Sequence, residues 1–293
     1  MVNRKTILIT GSKGQLGSSL KKISKAYNYN FIFTDKSSLD ITNFEFLKEF
    51  FQKNTIDTVI NCAAFTDVDR AEFKKNIAKT INHKAVSFLA EICHRHNIQL
   101  VHISTDYVFA GNQDKKYNEN DIPKPISYYG KTKLDGENSI LKYNLNNSII
   151  IRTSWLYSES KNNFVSKILD KFLTHSEVKV VNDEIGSPTN SLDLAKILLD
   201  IIPNIRNNQT EIYHFSNIGH CSRFEFANEI KGIMKSKVEL IPYTKNETKI
   251  IRPKFSVLDI SKITKHFNVK NETWQSSLNA YLKKNKTVYN YEI

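Results

Sequence analysis

The first half of the chain alternates short apolar strands with amphipathic helices, and this alternation limits the possible folds more than any other feature. Strands are predicted at residues 6–10, 30–34, 58–61, 100–104 and 148–151. Helices are predicted between them, at residues 15–26, 43–53, 78–96 and 127–142. Strands that alternate with helices favour a parallel sheet covered on both faces and joined by right-handed crossovers. The predicted fold class is therefore α/β, with a doubly wound parallel sheet.

A glycine-rich turn joins the first predicted strand to the first predicted helix. Gly11, Gly14 and Gly17 follow one another at intervals of three residues. The first glycine permits a tight turn, the second lets a pyrophosphate approach the backbone, and the third lets the helix pack closely. The positive end of the helix then faces the phosphates. The turn predicts a Rossmann-like site for NADPH or NADH, which Gln15 and Leu16 are also expected to contact.

The ends of the second and third strands carry further candidate cofactor contacts. Asp35 lies 18 residues after Gly17, where a carboxylate can accept from the adenosine ribose hydroxyls and would repel a 2′-phosphate. Lys36 follows it and can instead pair with that phosphate, so the choice between NADH and NADPH stays open. Contacts near the adenine and along the cofactor backbone are predicted at four more positions: Asp40, Ile41, Ala63 and Ala64.

A tyrosine and a lysine four residues apart form the predicted catalytic pair. Tyr129 and Lys133 are spaced by about one helical turn, so their side chains share a face. A nearby ammonium group is expected to lower the pKa of the phenol, which lets Tyr129 act as a general acid. Lys133 can also bind the nicotinamide ribose. Thr105, just past the fourth strand, is predicted to bind a substrate carbonyl, and Asn82 is predicted to support a proton relay near the cofactor.

The second half of the chain is less regular. Helices are predicted at residues 164–173 and 192–201, and a strand at 212–215. Ser222 and Glu225 have the spacing of a capping box, which predicts a further helix that begins there and ends near residue 234. We expect residues 1–151 to form the dinucleotide-binding domain. Residues 152–293 should form a smaller mixed α/β substrate domain, from which a part near 190–216 returns to the first sheet.

Composition excludes several other classes of protein. The net charge is +12, but the lysines are spread along the chain without a dense basic run, so no nucleic-acid partner is expected. Cys62, Cys93 and Cys221 show no metal-binding or disulfide spacing, which suits a reducing cytoplasm. No stretch is apolar over the roughly 18 to 20 residues that span a bilayer, so no membrane partner is expected either.

The motifs together resemble those of the extended short-chain dehydrogenase/reductases, and within them the RmlD family of nucleotide-sugar reductases. The resemblance covers nearly the whole chain. Its marks are residues 11–17 (GSKGQLG), 61–72 (NCAAFTDVDRAE), 104–109 (STDYVF), 129–137 (YGKTKLDGE), 152–157 (RTSWLY), 186–189 (GSPT), 252–253 (RP) and 256–258 (SVL). The combination is far more specific than any single motif.

The resemblance implies a reaction and a substrate site. It implies reduction of the C4 keto group of dTDP-4-dehydro-6-deoxy-L-mannose to dTDP-L-rhamnose, with Tyr129 as proton donor. It also implies that Thr66, Val68 and Trp155 border the sugar, where an aromatic ring suits its C–H groups. Arg252 would suit the diphosphate, because its fork matches phosphate oxygens. The implied assembly is a monomer or homodimer.

Departures from the family pattern leave some alternatives open. Arg223 stands where the family usually has Trp, Phe255 where it has Asn, and Glu184 where Gln commonly follows Asp. Some relatives dimerise through a metal that is held by a Glu. This chain has Ser19 at the position of that Glu, so no metal is predicted here. Another nucleotide-sugar enzyme on this scaffold, such as a dehydratase or epimerase, and a non-catalytic NADP-binding regulatory subunit remain the alternative functions.

Overall fold

The computed structural model of the protein describes residues 4–160, 162–244 and 251–285. Its strands are β1 (Thr6–Thr10), β2 (Asn30–Phe33), β3 (Thr58–Asn61), β4 (Gln99–Thr105), β5 (Ile149–Thr153), β6 (Leu156–Tyr157), β7 (Glu177–Val181), β8 (Ile185–Gly186), β9 (Thr189–Asn190), β10 (Glu211–His214), β11 (Cys221–Ser222) and β12 (Glu239–Tyr243). Its α-helices are α1 (Gln15–Ile23), α2 (Phe44–Lys53), α3 (Val68–Phe73), α4 (Lys75–Lys79), α5 (Ala85–His96), α6 (Tyr128–Tyr143), α7 (Phe164–Thr174), α8 (Ser191–Ile201), α9 (Arg223–Met234), α10 (Ser261–Phe267) and α11 (Trp274–Lys284).

Six parallel strands form the central sheet in the order β2-β1-β3-β4-β5-β10. This confirms the predicted α/β class. The strand order reverses between β1 and β3, because the connection from β1 to β2 runs through α1 on one face and the connection from β2 to β3 runs through α2 on the other. Ligands of open α/β sheets bind outside the carboxyl ends of the strands at such a switch point. The five strands predicted in the first half all lie in this sheet.

Both faces of the sheet are buried, as the continuous apolar strands require. Along β1, Ile7 and Ile9 belong to one hydrophobic cluster and Leu8 to another. The first cluster includes Leu20 of α1 and residues of α8, and the second includes residues of α2, α5 and α6. Alternate residues of one strand therefore anchor the helical layers on its two sides.

The last strand of the sheet comes from the second half of the chain. β10 pairs in parallel with β5, with Glu211 opposite Ile149 and His214 opposite Arg152. The helix before it, α8, packs against α1 on one face of the sheet. The return predicted near 190–216 is therefore what the structure has, while the division at residue 151 into two functional domains stays a prediction.

The remaining elements build a smaller layer beside the carboxyl edge of the sheet. A separate cluster joins α7, α9, α11 and the parallel pair β7–β12, with Phe226 and Trp274 in edge-to-face contact at its centre. Helix α9 begins with the predicted capping box, in which Ser222 accepts from Glu225 N and the Glu225 carboxylate accepts from Ser222 N. Among the described residues, no helix is long and apolar enough to cross a bilayer.

The helix predicted over 78–96 differs from the structure in two respects. The observed helical segment begins earlier, at Lys75, and a π-helical turn (Thr80–Lys84) separates α4 from α5. A π turn inserts one residue into the helix and often marks a functional site. Here it directs Asn82 toward α6 and the loop after β3. Sequence periodicity cannot show such an insertion, because the apolar stripe continues on both sides of it.

Candidate active site

The glycine-rich turn lies at the switch point between β1 and β3. Gly11 has φ +65°, and a Cβ there would come within 2.7 Å of the Ala63 backbone. A Cβ on Gly17 would come within 2.5 Å of Gly11 O, so the helix packs directly onto the turn. Gly14 caps α1 with extended backbone and no side chain. The turn therefore leaves a backbone-lined path to the free N–H groups of α1, which fits a dinucleotide pyrophosphate.

Gln15 and Leu16, two predicted cofactor contacts at the start of α1, also contact other parts of the protein. Gln15 Oε1 accepts a hydrogen bond of 3.0 Å from Ser158 Oγ, which ties α1 to the loop after β6. Leu16 is buried in the core on the α8 side. Ser19, the position where some relatives hold a metal, lies 2.7 Å from Ser191 Oγ through its own hydroxyl.

Asp35 follows β2 and is engaged on both carboxylate oxygens. Oδ2 pairs with the ammonium group of Lys13, from the glycine-rich turn, and Oδ1 accepts from Ser37 N and Oγ. The Lys13 ammonium, followed by the Ser37 hydroxyl, holds the pKa of Asp35 well below its usual range. Lys13 was not among the predicted contacts. The structure therefore pairs Asp35 with Lys13, whereas Lys36, the next residue in the chain, acts electrostatically on Asp40.

The remaining predicted cofactor contacts line the same edge. Asp40 Oδ1 accepts from Thr42 N and from Thr42 Oγ1, at 3.0 and 2.7 Å, and these bonds lower the pKa of its carboxyl. Ile41 beside it is buried. Ala63 and Ala64 follow β3, and Ala63 N donates to Asn61 Oδ1. Asp40 thus stabilises the turn before α2 through its bonds to Thr42, and its predicted adenine contact stays a prediction.

Tyr129 and Thr105 meet at the carboxyl end of β4. Tyr129 lies in the first turn of α6, where Ser127 caps the helix by accepting from Gly130 N. The Thr105 hydroxyl is near enough to the phenol to act on its pKa, and Thr105 Oγ1 donates to Asp106 Oδ1 at 3.0 Å. Burial raises the pKa of Tyr129, and the Thr105 hydroxyl opposes that rise only in part. The expected lowering of this pKa is therefore not what the structure shows, and Tyr129 keeps its proton at neutral pH.

Lys133 lies one turn along α6 and is only 2% exposed. Its Nζ donates to Ile103 O at 2.6 Å and is 3.3 Å from His102 Nε2. Burial lowers the pKa of Lys133 to about 8, whereas the charge of Glu137 opposes that change. The amine therefore points to the carboxyl half of β4 rather than to the phenol. His102 lies in the middle of β4, where no sequence pattern indicated a polar role.

Asn82 holds the active-site helix against the loop after β3. Its Oδ1 accepts from Phe65 N at 2.8 Å, and its Nδ2 donates to Phe65 O and to Thr132 Oγ1 at 3.0 and 3.1 Å. Both ends of the amide are thus used within the protein. The structure gives Asn82 a positioning role beside the site, and the predicted relay through water stays a prediction.

The predicted substrate residues lie around this centre. Val68 packs with Tyr129 in a small cluster, and Thr66 is exposed two residues earlier. Arg252 pairs with Asp69 on α3 and lies near enough to Tyr107 for the two side chains to act on each other's pKa. Tyr107 in turn lies edge-to-face with Tyr129, with 5.7 Å between ring centroids. Arg252 is therefore linked to the phenol through one aromatic residue.

Trp155 has a position that the sequence did not fully predict. Its backbone has φ +44°, and its indole lies so close to Gly186 that a Cβ there would fall 2.5 Å from the ring. One face of the ring is covered by the guanidinium of Arg223, 3.5 Å from the ring centroid. Arg223 is a residue of the site that sequence reasoning missed, although its departure from the family pattern was a signal.

A buried ion pair beneath the site was also missed. Arg152 Nη2 donates to Glu137 Oε2 at 2.7 Å, and Ser104 donates to the other carboxylate oxygen. Glu137 lies one turn after Lys133 on α6, so this pair joins the active-site helix to β4 and β5. The site as a whole offers a glycine cradle for phosphates, a protonated phenol with a hydroxyl beside it, and a buried amine. That arrangement fits hydride transfer from a nicotinamide dinucleotide to a carbonyl carbon.

Comparison with known proteins gives the same family over the whole chain. A family model described as the RmlD substrate binding domain matches residues 5–287. A dTDP-4-dehydrorhamnose reductase of Aggregatibacter actinomycetemcomitans is 38% identical over 284 residues, which cover 93% of this chain and 96% of the relative. The spore coat polysaccharide biosynthesis protein SpsK of Bacillus subtilis is 36% identical over 278 residues, or 94% of this chain and 96% of that protein.

A solved structure is similar in fold as well as in sequence. The dTDP-4-dehydrorhamnose reductase of Bacillus anthracis, determined in complex with NADP, superposes with a TM-score of 0.91 at 33% identity. The match covers 96% of this chain and 100% of that one.

Proposed function

This chain belongs to the RmlD family of dTDP-4-dehydrorhamnose reductases, and on that premise we propose how its residues carry out the family's reaction. The reaction is the NADPH- or NADH-dependent reduction of the C4 keto group of dTDP-4-dehydro-6-deoxy-L-mannose, which gives dTDP-L-rhamnose. The observation that carries the proposal is the meeting of the Tyr129 and Thr105 hydroxyls at the carboxyl end of β4, beside the switch point.

Tyr129 is the proton donor in this proposal. When bound, the reduced nicotinamide supplies the hydride that goes to C4 of the sugar. The Thr105 hydroxyl, once its hydrogen turns from Asp106, donates a hydrogen bond to the keto oxygen. Tyr129 then transfers its proton to that oxygen, and its raised pKa keeps the proton in place until the alkoxide forms. Both hydroxyls act where negative charge develops.

Lys133 and the glycine-rich turn position the cofactor in this proposal. The N–H groups at the start of α1 bind the pyrophosphate, and Lys133 binds the ribose next to the nicotinamide. Asp35 and the lysines beside it decide how the adenosine ribose is bound. Asp35 would accept from free hydroxyls, whereas Lys13, its ion-pair partner, and Lys36, its neighbour in the chain, would pair with a 2′-phosphate. Either cofactor is therefore compatible with the proposal.

The rest of the substrate is proposed to extend from Tyr129 toward Arg252. Thr66 and Val68 border the sugar, and Arg252 binds the diphosphate, for which Asp69 is the present partner. We propose a cytoplasmic location, since the three cysteines are free thiols and the cofactors and nucleotide sugars are cytoplasmic metabolites. The assembly is proposed to be a monomer or homodimer, without a nucleic-acid or membrane partner.

The test is the stoichiometry of the reaction with a dTDP-4-keto-6-deoxy sugar that has been made enzymatically. We expect one NADPH or NADH oxidised for each dTDP-L-rhamnose formed, as measured by absorbance of the nicotinamide and by NMR of the product. Conversion of this sugar without net oxidation of cofactor would indicate an epimerase, and formation of a 4-keto-6-deoxy sugar from a dTDP-hexose would indicate a dehydratase. Cofactor binding without turnover of any keto sugar would indicate a regulatory subunit.

A further inference from the structure

Arg223 is a nearly buried cation at the wall of the active site. It is the first residue of α9, and its side chain is 17% exposed. The guanidinium carbon lies over the indole of Trp155, 3.5 Å from the ring centroid, and is 5.1 Å from the centroid of Phe164. Two aromatic rings therefore fix its position before any ligand is present.

The hydrogen-bonding capacity of this guanidinium is unused. It carries five N–H donors, yet within residues 4–160, 162–244 and 251–285 it makes no side-chain hydrogen bond. The Oε2 atom of Glu184 lies 3.6 Å from its Nε, which balances charge but is too long for a hydrogen bond. A largely desolvated charge with unpaired donors is costly unless a ligand supplies the acceptor.

The location of the guanidinium indicates which ligand group it meets. The guanidinium acts electrostatically on Asp106. Burial raises the pKa of Asp106 to about 6, and the charge of Arg223 is one of the influences that oppose this rise. Asp106 directly follows Thr105, the proposed partner of the keto oxygen. Arg252, the proposed diphosphate ligand, also acts on Tyr107 but pairs with Asp69. Arg223 instead covers Trp155, the residue that the family resemblance places beside the sugar, so the sugar is the part of the substrate that it faces.

We propose that Arg223 is a specificity-determining residue that donates hydrogen bonds to hydroxyl oxygens of the sugar ring of the nucleotide sugar. The inference rests on the proposed function and deepens it. The guanidinium covers one face of the Trp155 indole, so the sugar contacts Arg223 on that side of the ring rather than the indole itself. Trp155 then acts as a platform for the arginine, which is a different role from the direct sugar contact that the sequence implied.

The test compares binding of two ligands, dTDP and the product dTDP-L-rhamnose, by calorimetry in the presence of NADP⁺. In Arg223→Met, we expect dTDP-L-rhamnose to bind at least tenfold more weakly and dTDP to bind as in the wild type, since only the sugar contact is lost. Arg223→Lys should also bind the product more weakly, because an ammonium group cannot reproduce the planar fork. The control is Arg95→Met, on the exposed side of α5, which should change neither affinity.

Each other outcome overturns the proposal. Equal weakening for dTDP and the product would assign Arg223 to the diphosphate, and unchanged affinities with a lower Tm would leave it only an ion pair with Glu184. Thermal unfolding and NADP⁺ affinity identify a variant that has lost its fold, and Arg223→Lys then decides the result. A wild type without turnover would contradict the proposed function, and this inference with it. A wild type with turnover but unaffected variants would contradict the Arg223 inference alone.

Discussion

At the scale of single residues, the site combines a phenol that keeps its proton with an amine that releases its proton easily. Burial raises the pKa of Tyr129 and lowers that of Lys133 to about 8, so the same exclusion of water acts on both groups. The sequence predicted this pair and its shared helix face. It could not predict the direction of the Tyr129 shift, because that depends on how completely Val68 and Tyr107 enclose the ring.

Replacing Lys133 tests the cost of burying it. The pKa of Lys133 is about 8 in the folded protein against 10.5 for an ordinary lysine, so between these values the unfolded chain binds more protons. Stability contributed by this residue therefore rises with pH from about 8 to 10.5, by roughly 3 kcal/mol in all. Lys133→Met should abolish most turnover, yet unfold at higher urea concentration at pH 7, with a flatter alkaline dependence. A variant that is less stable than the wild type at pH 7 would contradict this account.

At the scale of elements, the junction of β1, the glycine-rich turn and α1 forms the proposed cofactor site. Gly11→Ala places a Cβ 2.7 Å from the Ala63 backbone at a positive φ, so β3 or the turn must move. We expect NADPH affinity to fall by tenfold or more, together with a loss of stability, measured by fluorescence titration and thermal unfolding. The matched control is Gly232→Ala on α9, where nothing lies within 4 Å of the added Cβ. It should stabilise the protein by about 0.5–1 kcal/mol.

Helix α6 is held against the sheet by the buried pair of Glu137 and Arg152. Removing one partner leaves an uncompensated buried charge, so Glu137→Met and Arg152→Met should each cost about 3–5 kcal/mol. The double variant should recover much of that loss, because neither charge then remains buried. Urea unfolding of the four proteins measures the coupling. Additive losses in the double variant would mean that the two side chains do not act as a pair.

The pairing of Glu137 with Arg152 could not be predicted from the sequence. Both residues lie in sequence motifs of the family, but their contact joins helix α6 to strand β5, and the two residues are 15 positions apart in the chain. Periodicity gives the face of a helix and not its partner across the core. The short helix α3 and the pair β7–β12 were not predicted for a similar reason, since short elements have little pattern of their own.

At the scale of the whole molecule, the alternation of strands and helices was sufficient to predict a parallel sheet and the five strands that the first half of the chain contributes to it. The glycine turn, Thr105, Tyr129 and Lys133 follow from that topology, because the carboxyl ends of parallel strands converge at one edge. The placing of Arg223 on Trp155 did not follow, since it depends on how the smaller layer sits over that edge. In the proposed function, the catalytic centre thus depends on the sheet, and substrate selection on the layer that covers it.

The central claim is that the Tyr129 hydroxyl supplies the proton to the keto oxygen. The most direct measurement is steady-state reduction of the dTDP-4-keto sugar by Tyr129→Phe, alongside its NADPH affinity. The account predicts that kcat falls by about 10²- to 10⁴-fold while NADPH affinity stays within about twofold of the wild type, because only the proton donor is lost. Near-normal turnover by Tyr129→Phe would contradict it.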